Sequence, residues 1–474
     1  MSEHRTLLFR EARVEGRIVD VLVRDGLIEQ VAHHPGRVSC VPDEVVEAEG
    51  GALLPGLHDH HVHLAALAAS TSSVDVGPPQ VTDREQFAAT LAAADRRLPP
   101  GTWLRAVGYH ESVAGPLDRE VLDRLVPGRP VRVQDRSGKR WTLSSAAIQA
   151  TGAERAGPPG VERDAAGRAT GVLDREDDWL ARVTGGDFPD LSEIGRRFAA
   201  AGVTHLTDCT PYRDPSGPAA LAAAVAAGEL PQLLVVTGGV ELAEHPVDPR
   251  LVRGPVKVVL DEDQLPDLST VVGWIRAAHG AGRPVALHLV TAVSLAYALA
   301  AWQDSGVHRG DRIEHGSVIS PDAAERIAEL GLTVVTQPGF VAERGDRYLA
   351  EVEPDDLPHL YRCASLLDRG IPVAGSSDAP YSAPDPWAAV RAAVDRRTSA
   401  GEVLGPDEQL SLERAIELFT GDPLDPGRAH RRVATGAPAD LCLLDRPLED
   451  PLPPTAQDVR ATYRAGVRIW PPAT

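Results

Sequence analysis

Asparagine is absent from this 474-residue chain, and lysine occurs only twice, at Lys139 and Lys257, beside 46 arginines. Arginine supplies positive charge wherever charge alone suffices, so the two remaining lysines are candidates for positions where a guanidinium cannot substitute. The four cysteines, Cys40, Cys209, Cys363 and Cys442, follow no CxxC or zinc spacing and lie too far apart to form a recognisable disulfide framework. They read as reduced thiols of a cytoplasmic protein. The opening stretch MSEHRTLLFREARVEGR has no apolar run of signal-peptide length, and no later stretch nears the roughly 20 apolar residues of a membrane span. A basic excess is lacking too. At a net charge of −20 there is little to attract phosphate backbones or anionic lipid, so neither nucleic acid nor membrane is an expected partner.

What is present falls into two rhythms. Residues 5–50 and roughly 439–470 alternate apolar and polar positions, with turn residues between the runs (Glu15-Gly16, Asp25-Gly26), as short antiparallel strands do. Strand-rich ends around a different middle predict one small β-sandwich built from both termini, residues 1–54 and 431–474. Over 55–430, short apolar strands alternate with helical patterns of 10–15 residues, the signature of βα units and a parallel sheet. Eight strand candidates stand out: ALLPGLHDHHVH, GVTHLTDCT, PQLLVVTGGV, GPVKVVLDE, RPVALHLV, DRIEHGS, LTVVTQPGF and IPVAGSSDAP. Eight predict an α/β fold of the TIM-type (β/α)8 barrel class, with an open doubly wound sheet as the alternative. SPDAAERIAELG reads as one of its helices, with Ser320 as N-cap, Pro321 at the first helical position and Gly331 just past the end. About 135 residues separate the first two strands, too many for an ordinary connection, so an inserted subdomain is expected over about 65–200.

In such a barrel the C-terminal ends of the strands form the active-site face. His61 and His63 close the first strand, His288 lies in the fifth, His315 ends the sixth and Asp378 the eighth. Alternate residues of a strand face one side, so His61 and His63 can bind one ion. Imidazoles and a carboxylate suit zinc, with manganese, iron and nickel as alternatives. Any one of these histidines could be an ordinary packed residue; the set at one rim points to a metal. Lys257, on the fourth strand, is a different case. A protonated lysine would be repelled by a cation, whereas a buried one can present a neutral amine. That amine can add CO2 to form a carbamate able to bridge two metals about 3.5–4 Å apart. The competing reading is an ion pair with Asp261 or Glu262, which arginine would serve equally well.

LLPGLHDHHVHL resembles the amidohydrolase signature PG-hydrophobic-x-D-x-HxH, and GAPADLCLLD resembles that family's closing G-x-x-ADL motif. With RIEHGSVISPDAAERIAELG, GSSDAP, GVTHLTD and PGVERDAAGRATGVLDRE, the chain from about residue 5 to 470 is similar to the amidohydrolase-3 branch, which includes formamide deformylase-like enzymes. The resemblance implies a metal-dependent hydrolase of amide or related C–N bonds (N-acyl, N-formyl or cyclic) acting on a small-molecule substrate. His61, His63 and Asp378 would hold one divalent ion, His288 and His315 a second, and carbamylated Lys257 would bridge them. Attack would come from metal-bound hydroxide, with Asp378 as general base. Members are often oligomeric, so a homo-oligomer fits the same resemblance.

Departures from the branch fall where substrate is recognised. Its usual G-H-S-x-x-x-N-S is here Gly138-Lys139-Arg140 with Ser144-Ser145, its Gly-Trp-Asp is Gly108-Tyr109-His110, and its Asp-Gly after the fourth strand is Asp261-Glu262. Tyr109, His110, Lys139 and Arg140 are therefore the candidate substrate residues. The basic cluster of Arg136, Lys139 and Arg140 in an acidic chain reads as recognition of an anionic group, or else as a solvated loop with local ion pairs. Three other functions remain open: a deaminase of the same superfamily, a lactonase or phosphotriesterase-like hydrolase, and a non-catalytic binding scaffold. His288 is followed by Leu289, Val290 and Thr291, without the glutamate three residues on that such deaminases carry.

Overall fold

A computed structural model describes residues 5–35, 41–78, 80–185, 188–212, 215–242, 248–450 and 452–472. Cys40 lies outside them; Cys209, Cys363 and Cys442 are buried free thiols. Among the described residues no helix is long and apolar enough to cross a membrane. The chain divides into two compact units, residues 1–64 with 190–474, and residues 65–189.

Both termini of the first unit contribute to a pair of four-stranded sheets. Thr6–Val14, Arg17–Arg24, Leu27–His33 and Glu44–Glu47 make one, and Leu53–Pro55, Leu441–Leu444, Val459–Arg464 and Val467–Trp470 the other. The alternation read from the sequence has its cause in one shared core: Phe9, Val21 and Ile28 from the first sheet pack with Leu441, Leu443 and Tyr463 from the second. Phe9 and Tyr463 meet edge to face at 4.9 Å between ring centroids, the favoured geometry for such a pair.

The same unit holds an eight-stranded parallel sheet, nearly closed into a barrel. Its strands are β1 (Leu57–Val62), β2 (Val203–Asp208), β3 (Leu233–Gly238), β4 (Leu251–Val259), β5 (Val285–Leu289), β6 (Arg312–His315), β7 (Thr333–Thr336) and β8 (Val373–Gly375). All eight expected strands are present, though the first candidate is two elements. The chain leaves the sandwich after Pro55 and enters the barrel at Leu57, with Gly56 as the crossing point. A Cβ at Gly56 would lie 2.3 Å from the Thr204 side chain, so only glycine lets the strands approach there. The helix Pro321–Leu330 forms as its sequence predicts, with the Ser320 hydroxyl accepting from the Ala323 amide and Gly331 in the left-handed region.

β1 and β8 meet at their C-terminal ends. The Asp378 amide donates to the His61 carbonyl at 2.8 Å, and the His63 amide to the Ala379 carbonyl at 2.9 Å.

The second unit is built on a six-stranded sheet that includes Leu104–Tyr109, Val131–Asp135, Arg140–Leu143 and Ala169–Asp174. Two apolar clusters fill it, one around Phe87, Leu104 and Val131, the other around Trp141, Leu143 and Leu173. The unit ends at Pro189, short of the expected 200. The helix Ser192–Ala200 belongs to the first unit because it buries Ile194 and Phe198 there and accepts the Thr462 hydroxyl on the Ala199 carbonyl.

Candidate metal centre

The His61–Asp378 and His63–Ala379 backbone pairs bring three side chains to one point. His61 Nε2 lies 3.5 Å and His63 Nε2 3.3 Å from Asp378 Oδ1. Two donors each about 2.0–2.1 Å from a tetrahedral zinc stand roughly 3.3 Å apart. His61 Nε2 and Asp378 Oδ1 are buried without a hydrogen-bond partner, a costly state unless something else satisfies them. A cation would do so.

His315 and His288 form the neighbouring pair. His315 Nε2 and His288 Nδ1 are 2.8 Å apart, and the His315 ring lies 4.8 Å from that of His61. Lys257, on β4 beside β5, is 7% exposed, and its Nζ has no hydrogen-bond partner. No hydrogen bond draws it toward Asp261 or Glu262. Its charge is felt at His61, Glu314 and His315. The structure thus brings the six sequence-predicted ligands to one end of the barrel.

His61, His63 and His315 each have Nδ1 engaged by a neighbour. His63 Nδ1 is 3.3 Å from the Thr210 hydroxyl and His315 Nδ1 2.9 Å from Gln337 Oε1. Gln337 is oriented in turn, its amide nitrogen donating to Ser376 Oγ at 3.0 Å. His61 Nδ1 is 2.5 Å from Glu314 Oε2, and Arg312 Nε donates to the other Glu314 oxygen at 2.6 Å. Such outer contacts fix ring orientation in metal sites.

Electrostatics follow from burial and neighbours. Burial alone would raise the Asp378 carboxyl, but the close approach of His63, His315 and His61 brings it to about 2. Burial, reinforced by Lys257, lowers His61 to about 3 despite Glu314 and Asp378. Glu314 is held well below the usual carboxylate range: burial pushes it up, and Arg312, His61 and Lys257 more than compensate. His61 and, by burial, His315 are thus neutral and Asp378 and Glu314 ionised, the protonation states that ligation requires.

Backbone strain is present here as well. His315 (φ 71°) and Asp378 (φ 58°) both occupy the left-handed region, which disfavours side-chain-bearing residues and recurs at functional sites. The effect at His315 is specific. Neighbouring strand residues point to opposite faces, yet Glu314 and His315 both reach His61, because the backbone reverses its twist at His315.

Sequence reading passed over several members of this site. Asp59, within the signature, accepts the Ser377 amide at 3.0 Å and the Ser377 hydroxyl at 2.5 Å. It thereby anchors the segment that carries Asp378. The aspartate of D-x-HxH was the available signal. Arg312 and Glu314 share a strand face by their spacing, and only the fold shows that this face looks at His61.

Of the substrate candidates, all in the second unit, Tyr109 is buried and donates its hydroxyl to the Gly115 carbonyl at 2.5 Å. Burial pushes that hydroxyl up to about 12. His110 caps the short helix Glu111–Ala114, accepting from the Ser112 amide at 3.2 Å. Lys139 accepts the Arg175 amide on its carbonyl in the turn before Arg140–Leu143. Arg140 is exposed and, with Tyr109, lines a cavity of about 670 Å³ within that unit.

The chain is 26% identical to an N-substituted formamide deformylase of Arthrobacter pascens, over 94% of each protein. It is 27% identical to the amidohydrolase YtcJ of Bacillus subtilis (strain 168), over 90% of each. Among solved structures, an uncharacterized metal-dependent hydrolase from Pyrococcus horikoshii OT3 superposes with a TM-score of 0.72 at 18% identity, covering 96% of this chain and 100% of that one. The sequence profile of the amidohydrolase family matches residues 44–469. With that match across nearly its whole length, this chain belongs to the amidohydrolase family.

Proposed function

We propose that this amidohydrolase-family enzyme cleaves an amide or related C–N bond of a small-molecule substrate at a divalent-metal centre held by His61, His63, Lys257, His288, His315 and Asp378. The observation that carries the reading is the convergence of buried atoms without hydrogen-bond partners, His61 Nε2, Asp378 Oδ1 and Lys257 Nζ, at one end of the barrel. The donor set of imidazoles and carboxylate fits zinc. Carbamylation of Lys257 would turn a cation among cations into a bridging carboxylate, and its burial among neutral imidazoles favours that form.

Bound there, a divalent cation supplies Lewis acidity and a water acidic enough to attack at neutral pH. Asp378 stands where it can take the proton of the attacking water. Ionised and in contact with both His61 and His63, it is placed to hold that proton and return it to the leaving nitrogen. Gln337, Thr210 and Glu314 keep the rings aimed while this happens.

The deformylase name of the Arthrobacter relative favours an N-formyl or N-acyl substrate over the deaminase and lactonase alternatives. In the position of a deaminase glutamate this chain has Thr291, whose side chain caps the helix Ala292–Ser305. A non-catalytic scaffold would have lost ligands, and none is missing. Recognition of an anionic substrate by Lys139 and Arg140, with Tyr109 and His110, rests on sequence alone. Cytoplasmic location and homo-oligomerisation belong to the same proposal.

The deciding experiment is a screen of N-formyl, N-acyl and cyclic amides against zinc-, manganese- and iron-reconstituted enzyme. Turnover of an amide that depends on added metal supports the reading. Activity confined to lactones or aryl phosphates would replace it.

A further inference from the structure

We propose that Glu314 is a positioning residue: it holds His61 as the Nδ1–H tautomer, so that Nε2 presents its lone pair to the cation, and Arg312 holds Glu314 in that role. The inference rests on the metal-centre reading and concerns residues that the ligand pattern leaves out.

The side chains of His61, Glu314 and Arg312 are at most 2% exposed, so water cannot replace any contact between them. Glu314 Oε2 is 2.5 Å from His61 Nδ1. An ionised carboxylate only accepts, so the proton between them belongs to the ring nitrogen. Arg312 only donates. Its Nε reaches Glu314 Oε1 at 2.6 Å and its Nη2 reaches Cys209 Sγ at 3.5 Å. The donor direction is therefore set from both ends, guanidinium to carboxylate and imidazole to carboxylate. The face left to His61 is Nε2, buried, without a hydrogen-bond partner and 3.5 Å from Asp378 Oδ1.

His61, Glu314 and Cys209 also bring donor atoms within 4.8 Å of one another, as a ligand set would. Arg312 argues against that use. Its guanidinium bonds both Glu314 and Cys209, putting a fixed positive charge where a cation would sit. Burial meanwhile keeps Cys209 as the thiol. The triad is an orienting device.

The tautomer lock makes an unusual demand on residue type. Glu314→Gln preserves shape but leaves one acceptor oxygen. The charged Arg312 claims it, which turns the amide NH2 toward His61 Nδ1. That nitrogen must then accept, and the ring proton moves to Nε2, facing the cation. Removing the claim, in Arg312→Met/Glu314→Gln, lets the amide rotate and accept from Nδ1–H again.

The test uses the full chain with 15N-labelled histidine, the His61 signals being identified by their loss in His61→Gln. NMR reads the tautomer in metal-free protein, and competition with a chromophoric chelator reads zinc affinity. In the wild type His61 is expected protonated at Nδ1. Glu314→Gln should carry the proton on Nε2 and bind zinc about ten- to hundredfold more weakly. The double variant should regain most of that loss, an outcome that simple destabilisation would not produce. A zinc-binding wild type with His61 protonated at Nε2 overturns the role of Glu314 alone, and that measurement needs no variant to fold. Unchanged zinc affinity in Glu314→Gln, or a folded double variant no better than the single, overturns it too. A wild type that binds no zinc while His61 is Nδ1–H overturns the metal-centre reading, and this role with it.

Discussion

Asp378 and His61 are joined twice: the amide of Asp378 donates to the His61 carbonyl at 2.8 Å, and their side chains face each other with Nε2 and Oδ1 3.5 Å apart. The seam between first and last barrel strands therefore also sets the spacing between two proposed metal ligands. Closure of the fold and assembly of the site are one event, and Asp59, bonded to Ser377 across the same seam, serves both.

Asp378→Asn keeps the shape of the site and removes its proposed base. Turnover of any substrate found in the amide screen should fall by about 10²–10⁴-fold, with zinc content measured alongside so that metal loss is not mistaken for loss of proton transfer. Full turnover in a zinc-loaded variant would remove Asp378 from the mechanism.

Lys257→Ala should lose both metal and activity, since no other side chain on β4 can supply a bridging oxygen. Acetate or propionate at millimolar concentration should restore part of each by standing in for the carbamate. Elemental analysis and initial rates read the two effects, and an unaffected variant would end the carbamate proposal.

Asp59→Ala removes the acceptor for two Ser377 donors in a buried setting. The expected cost is about 1–3 kcal/mol of stability for unsatisfied polar groups, read by denaturant titration. Metal affinity should fall with it because Asp378 follows Ser377 directly. A variant with wild-type stability and metal affinity would contradict the anchoring role.

Glu408 supplies a pH-dependent prediction away from the metal. It accepts from Arg362 Nε at 3.0 Å and from the amides of Cys363 and Ser365 at 2.9 and 3.1 Å. Burial would raise its carboxyl, but the Ser365 and Arg362 contacts bring it below the usual 4.5. A depressed native value contributes stability that is fully present above the unfolded value and lost as pH falls through the native one. The stability gap between wild type and Glu408→Gln should therefore be constant near neutrality and narrow below about pH 4.5. A gap that widens on acidification would refute the assignment.

Lys139→Ala tests the anionic-substrate reading. KM should rise several-fold for acidic amides and stay unchanged for neutral ones. An unchanged KM for every substrate would leave Lys139 a surface residue.

The barrel, the sandwich built from both ends and the six proposed ligands were legible in the sequence because each is a local pattern. Period-two alternation, βα rhythm and the HxH signature are written in consecutive residues, and strand ends map onto one face of a barrel without coordinates. The break at Gly56 had a signal in the Pro55-Gly56 dipeptide, a turn marker, while the close approach of Thr204 that demands glycine there shows only in the fold. The role of Glu314 was hidden for a related reason. It is 253 positions from His61 in sequence, and alternation places it on the face opposite its neighbour His315. Only the left-handed turn at His315 lets both reach one ring. Sequence by itself determined which side chains have metal-binding chemistry; tertiary structure decided which ring nitrogens are engaged by neighbours, because ring orientation depends on partners brought together by folding alone.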